Sequence, residues 1–246
     1  SFDVLRVEGL YTIPAGTEGL GAEPGEIALF SLSIKNIGNG PTEYTISCQS
    51  EDRWNIQIGN SQSSTITLGP LSRLQFVPVP IRVRVPPSSD GLPAGASNQV
   101  TCVTTSVNDP SLQTSEFAQV TVFESRDFHT EIFDVLGFAL GPLAASEPQA
   151  VLNGNIVRTN LSITNDGNVP LEFEVRALSS SNTWPTQVFL SSEEPPLGEV
   201  ASLQVVVYPS ESTTLTILTI VPLAAEKGDR NTITIKTTDD ETHANC

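Results

Sequence analysis

The sequence predicts an all-β chain folded as two tandem β-sandwiches, and three observations lead there. Charged residues make up only 16% of the chain. Ser, Thr, Asn, Pro and Gly fill the space they leave, which suits many short strands joined by turns rather than helical bundles. Apolar and polar residues alternate over short runs, the period of a half-buried strand. Finally, the second half of the 246 residues repeats the pattern of the first, as tandem copies of one unit do.

The strands can be placed in order. Ser1 to Val4 reads as a strand already under way at the start of the sequence, as in a processed mature form or an excised piece. Phe30 to Ile34 alternates cleanly, Asn36 to Asn39 supplies a tight turn, and Tyr44, Ile46 and Cys48 continue the alternation on the returning strand. Pro80 to Pro86 alternates again, with a proline as punctuation at each end. Gln99 to Val103 and Phe117 to Phe123 close the first unit. Thr159 to Ile163, Leu171 to Val175, Leu203 to Val207, Thr214 to Val221 and Thr232 to Ile235 repeat the series. About seven strands per unit is the expectation for a sandwich.

The repeat fixes the domains as residues 1–128 and 129–246. Phe2-Asp3-Val4-Leu5 returns as Phe133-Asp134-Val135-Leu136, and Leu32 to Asn39 returns as Leu161 to Asn168. Pro41 matches Pro170, Trp54 matches Trp184, and Leu68-Gly69-Pro70 matches Leu197-Gly198-Glu199. Val85-Pro86 matches Val221-Pro222, and Asn98 matches Asn231. The link from Ser125 to Glu131 has no Gly or Pro, so a stiff joint is expected.

A net charge of −16 repels phosphate backbones and anionic lipid heads, so nucleic acid is not an expected partner. Both halves share the charge, so neither is an acidic tail. The charge is read as a soluble, self-repelling surface, with weak divalent-cation binding as the sharper alternative. No apolar run reaches the length of a spanning helix, and membrane insertion is not expected.

The N-x-G-N turn, the Trp before alternating hydrophobics, the Leu-Gly turn and the strand ending in Val-Pro together resemble a known family. The pattern is similar to the immunoglobulin-like domains of the CARDB and α-galactosidase-associated types, found in exported bacterial and archaeal proteins. The resemblance covers nearly the whole chain twice and implies two immunoglobulin-like sandwiches in an extracellular or cell-surface setting. It implies no single function, because such domains serve as spacers, stalks, filament subunits and enzyme accessories.

Cys48 and Cys102 lie in phase with inward-facing residues, and Ala177 and Ile235 stand at the matching places of the second unit. In one exported sandwich such a pair is expected to form a disulfide between the sheets; two separate buried thiols are the alternative. Cys246 is an odd, unpaired thiol, pointing to an intermolecular partner or a boundary. The acidic run from Asp239 to His243 beside it reads as a solvated tail. His129 and His243 are the two histidines, and neither lies near a candidate nucleophile. No phosphate loop or paired-His metal motif is present. An enzyme is therefore not expected, and no cofactor is assigned. Asn160-Leu161-Ser162 is a glycosylation sequon, which makes Asn160 a candidate acceptor.

The second unit ends differently from the first. After Thr232 to Ile235 the sequence is polar and acidic, with no alternating strand to match Phe117 to Phe123. The second sandwich is thus expected to lack its last strand, exposing an edge that invites pairing. Three readings stand: a neighbouring subunit donates a strand, the strand lies beyond Cys246, or another segment covers the edge in cis. For the first, Phe2, Val4, Leu5, Val7 and Leu10 form the candidate donor, and Thr232, Ile233, Thr234 and Ile235 the acceptor edge. The expected function is a non-enzymatic structural subunit of a surface filament, sheath or layer, with the chain itself as its partner in a head-to-tail homopolymer. The alternative is an adhesive or carbohydrate-binding accessory module, with glycans as partners.

Overall fold

The computed structural model describes residues 3–133, 151–193 and 200–239. Phe2, Asp134 to Leu136, Leu197 to Glu199, His243 and Cys246 lie outside the described residues. The chain divides into two compact units, Ser1–Ser125 and Arg126–Cys246.

In the first unit, β1 (Leu10–Ala15), β3 (Ile27–Asn36), β7 (Phe76–Arg84) and β5 (Asn55–Ile58) form one sheet in the order β1-β3-β7-β5. The second sheet runs β2 (Gly21–Ala22), β9 (Gln113–Val122), β8 (Ser97–Ser106), β4 (Thr42–Ser50) and β6 (Thr65–Leu71). The first order is the A-B-E-D arrangement of an immunoglobulin-like sandwich, and β9-β8-β4 is the facing G-F-C set. The initial segment switches sheets, since β2 pairs in parallel with β9 after β1 has paired antiparallel with β3. Alternate residues of both sheets meet in a single core, with Leu32, Ile34 and Ile81 facing Tyr44, Ile46 and Val100.

The second unit repeats the design with fewer strands. β10 (Phe128–Phe133), β11 (Ile156–Asn165), β15 (Ser212–Ile220) and β13 (Thr186–Leu190) make the first sheet in the order β10-β11-β15-β13. β14 (Ser202–Val207), β12 (Leu171–Ser179) and β16 (Ile233–Asp239) make the second, in the order β14-β12-β16. No counterpart of β9 pairs with β16 among the described residues, as the sequence predicts. The core is smaller, built around Leu161, Ile163, Leu171, Phe173, Val175 and Leu215. Phe128 and Phe173 meet edge to face within it, centroids 4.8 Å apart.

Pairing registers show which sequence matches are structural. Leu10 pairs with Asn36 as Phe128 pairs with Asn165, so β10 is the counterpart of β1. The second unit's first strand therefore begins at Phe128, inside the stretch read as a link. The Phe-Asp-Val-Leu match does not join equivalent places, because Phe133 ends β10 whereas residues 3–9 precede β1. Of the stretch Ser1 to Val4 read as an opening strand, Ser1 and Phe2 lie outside the described residues, and Asp3 and Val4 belong to no strand; the first described strand starts at Leu10. Leu71 pairs with Thr42 as Val207 pairs with Leu171, so β6 corresponds to β14. The match of Asn98 to Asn231 survives; Asn98 accepts a hydrogen bond from Ser50 as Asn231 does from Ser179, both at 3.0 Å.

Two further expectations are corrected. Pro80 does not start a strand; it lies inside β7 with Pro78. The Asn36 N–H donates to Gln75 and Gly59 donates to the Pro80 carbonyl, so the even residues of β7 turn their backbone polar groups away from β3. β5 stops at the Ile58–Ile81 pair. The ring nitrogens of Pro78 and Pro80 therefore face an edge without a neighbouring strand, costing no ladder bond and removing the donors that would recruit one. The second correction concerns the disulfide. Cys48 and Cys102 are bonded, but within one sheet, as cross-strand neighbours of β4 and β8. The Glu51 N–H donates to Gln99, which puts the hydrogen-bonded pairs at odd positions of β4. Cys48 opposite Cys102 is thus a non-hydrogen-bonded pair, the closer kind, with Cα atoms 4.0 Å apart.

Candidate functional site

The outer edge of β16 is the site to which the fold draws attention. β12 lies between β14 and β16, and its N–H groups point alternately to each. Ala177 donates to Ala201 on the β14 side, whereas Ser180 donates to Thr232 on the β16 side. With Leu178 opposite Thr234 and Arg176 opposite Lys236, the even residues of β16 direct their backbone groups to β12. Ile233, Ile235 and Thr237 direct theirs outward, and no partner for them occurs among the described residues. Three consecutive pairs of backbone groups are in this way offered to an incoming strand.

The side chains tell the same story. Ile235 stands opposite Ala177 where Cys102 stands opposite Cys48. In the first unit Val100 and Cys102 are fully buried, with β9 alongside them, Ala118 opposite Val100 and Glu116 opposite Cys102. In the second unit Ile233 and Ile235 pack on the core but are only half-buried. A covering strand would bring apolar surface out of water at about 25 cal/mol per Å². Thr234 is exposed, and Thr232 precedes the strand, held at the turn by the Ser180 hydroxyl.

The candidate donor residues divide. Leu10 is buried in β1, a working part of the first sandwich. Val4 and Leu5 are 90% and 80% exposed, and Val7 is also exposed. Their backbone is nevertheless held in cis by the β3–β4 turn: Asn39 donates from Nδ2 to Leu5 and from its N–H to Val7, and its Oδ1 accepts from the Val7 N–H. Gly38 permits that approach, since a Cβ there would come within 2.5 Å of the Val7 carbonyl oxygen. In an extended strand Val4 would also face opposite to Leu5 and Val7, so a single groove could not take all three.

Asn160 sits in central strand β11, half-buried, its Oδ1 accepting from the Thr216 hydroxyl at 3.1 Å. The sequon therefore lies in a strand rather than in the loop where such acceptors are usually presented. His129 lies in β10 and pairs through Nδ1 with the Asp166 carboxylate at 2.5 Å. No cluster of His, Cys, Asp and Glu among the described residues could hold a metal. No helix among them is long and apolar enough to cross a membrane. Trp54 is buried in the first core while Trp184 is half-buried, so neither is an exposed stacking platform.

No family model matches the chain, and no curated protein matches it. The resemblance to CARDB and α-galactosidase-associated domains thus reduces to the sandwich arrangement itself. Among solved structures, the E. coli chaperone DraB is similar at 14% identity and a TM-score of 0.30, over 46% of this chain and 54% of that one. Red sea bream transglutaminase is similar at 12% identity and a TM-score of 0.34, over 96% of this chain but only 30% of the enzyme. A chaperone–tip adhesin complex of CFA/I fimbriae is similar at 12% identity and a TM-score of 0.35, over 88% and 76%. Similarity of this depth assigns neither family nor role.

Proposed function

We propose that this chain is a non-enzymatic, extracellular structural protein whose copies associate through strand pairing at the free edge of β16. The observation that carries the reading is the state of Ile233 and Ile235: half-buried, with outward-directed backbone groups, where Val100 and Cys102 have β9 alongside them. Proline blunts some open edges, with Pro14 in β1 and Pro78 and Pro80 in β7 where β5 ends, while β16, like the edge strands β10, β13 and β14, carries none. The Cys48–Cys102 disulfide fits an oxidising, non-cytoplasmic compartment.

Pairing of this kind is heterologous, since edge and occupant are different surfaces, and repeated application builds an open filament or layer. Electron microscopy and sedimentation velocity of the purified chain test it. Oligomers should grow with concentration. Thr237→Pro removes an outward N–H without touching the β12 ladder, and it should depress assembly at least tenfold. A chain that sediments as a monomer at hundreds of micromolar overturns the proposal. Deleting residues 3–9 separates the two versions: loss of assembly selects the N-terminal donor, and retention selects edge pairing.

A further inference from the structure

The four strands β1, β3, β7 and β5 contain no Asp or Glu, in a chain with 28 of them. Besides Ser31, Ser33, Asn55, Gln57, Pro78 and Pro80, the outward residues of this sheet are of two kinds. Tyr11, Ile13, Ile27, Leu29 and Phe76 are large, apolar and exposed, Leu29 at 56% and Phe76 at 54%. Lys35, Arg82 and Arg84 are cations, three of the twelve in the chain. The register sets them side by side: Lys35 lies between Tyr11 and Phe76, Arg82 opposite Leu29, and Arg84 opposite Ile27. Arg82 donates to the Gly59 carbonyl and Arg84 to the Gly25 carbonyl, while none of the three makes an ion pair among the described residues.

A sheet face that sets exposed apolar residues beside cations is a poor surface to leave in water. On a chain of net charge −16 it is also the local exception to a repulsive field. We infer that this face docks on a second copy of the chain, at the Glu172 end of its β12–β14 face. The described surface that complements it is the outward face of β12 and β14. There Glu172 and Glu174 stand beside exposed Val206, with Tyr208, 56% exposed, just past the end of β14. Glu174 is bonded to Arg176 at 2.8 Å, and Lys236 stands opposite Arg176 on β16, so the carboxylate left to meet a cation is Glu172 at the Val206 end of the face, which has no ion-pair partner among the described residues. Opposite charges across the contact set register and speed encounter, while the aromatic and aliphatic residues supply buried area. This inference rests on the self-association reading and adds to it a second, salt-dependent contact away from β16.

The test mixes ¹⁴N and ¹⁵N chains and joins adjacent ammonium and carboxylate groups with a zero-length carbodiimide. Mixed-isotope crosslinks between Lys35 and Glu172 are expected, falling at least fivefold in 0.5 M NaCl as the charges are screened. In sedimentation, Arg82→Glu/Arg84→Glu should weaken association at least tenfold with its thermal unfolding unchanged, and mixing it with Glu172→Arg should restore association. Absence of the mixed-isotope crosslink, or a reversed-charge variant that associates as the parent does, overturns this face; so does loss without rescue. Thr237→Pro distinguishes the two contacts. Crosslinks that persist when that variant assembles as the parent does support this face and remove the β16 edge. Association lost in Thr237→Pro, with no crosslink in the parent, removes this face and leaves the edge reading standing.

Discussion

Asn36 and Asn165 hold the same place in the two sandwiches and make the same three hydrogen bonds. Asn36 donates from Nδ2 to Gly40 and Leu71, each at 2.8 Å, and its Oδ1 accepts from the Gly38 N–H. Asn165 donates to Val169 and Val207, each at 2.8 Å, and accepts from Gly167. Both residues are fully buried. Each therefore fastens the end of the β3 or β11 strand to the turn after it and to the end of the β6 or β14 strand. A buried amide with its donors and acceptor satisfied specifies that geometry, because breaking it strands several backbone groups at once.

Replacing either asparagine by alanine should destabilise its own unit by about 3 kcal/mol, the loss of three modest bonds plus the orphaned carbonyls. Urea unfolding of Asn36→Ala and Asn165→Ala, with Trp54 and Trp184 as reporters in the respective units, measures the two effects. Aspartate should be little better, since its carboxylate has no N–H to give.

Removing the disulfide should cost the first unit about 4 kcal/mol on the chain-entropy account, for cysteines separated by 54 residues. Cys48→Ala/Cys102→Ala should lower the denaturant midpoint of that unit and leave the other unchanged. The second unit is the internal control, because Ala177 and Ile235 occupy the same register without a bond.

Amide exchange should read the open edge directly. In dilute, unassembled protein, Thr234, Lys236 and Thr238 should be protected by their bonds to β12. Ile233, Ile235 and Thr237 should exchange at least tenfold faster. All six should slow on assembly if a strand adds at this edge. Cys102 and its neighbours in β8 should be protected throughout, being flanked on both sides.

The His129–Asp166 pair gives the second unit a pH dependence of known sign. The hydrogen bond to the Asp166 carboxylate, aided by its charge, holds the His129 pKa above the usual imidazole value. A group raised on folding contributes its stabilisation fully below the unfolded value, about 6.5, and loses it as pH rises through the folded value. Stability of the second unit should therefore decline from about pH 6 upward by a small amount, since both side chains are largely exposed. Asp166→Asn should remove that slope and lower the His129 titration midpoint seen by NMR.

Much of the fold was legible because alternation and turn chemistry are local. β3, β4, β8, β11, β12, β15 and β16 each declare themselves through alternating residues. No strand was placed at β5, β6 or β13, and the other segments that escaped are of two sorts. β2, with Gly21 and Ala22, is too short to show a period. β1 and β10 are edge strands whose outward residues, Tyr11 and Ile13 or His129 and Glu131, follow no common pattern. The apolar, cationic face was equally hidden: Lys35, Arg82 and Arg84 lie far apart in sequence and become neighbours only when β3 pairs with β7.

By itself the sequence determined that this chain is two repeated β-sandwiches, that Cys48 and Cys102 face inward at places matched by Ala177 and Ile235, and that no strand pattern follows β16. Those are properties of residue type and spacing. The tertiary structure alone decided that the disulfide staples two strands of one sheet, that Phe128 opens the second unit, and that Leu5 and Val7 are held by Asn39. It also decided which backbone groups of β16 face outward. Such facts depend on which strand lies beside which and in what register, and pairing between distant segments is set by the whole core at once rather than by any one of its parts.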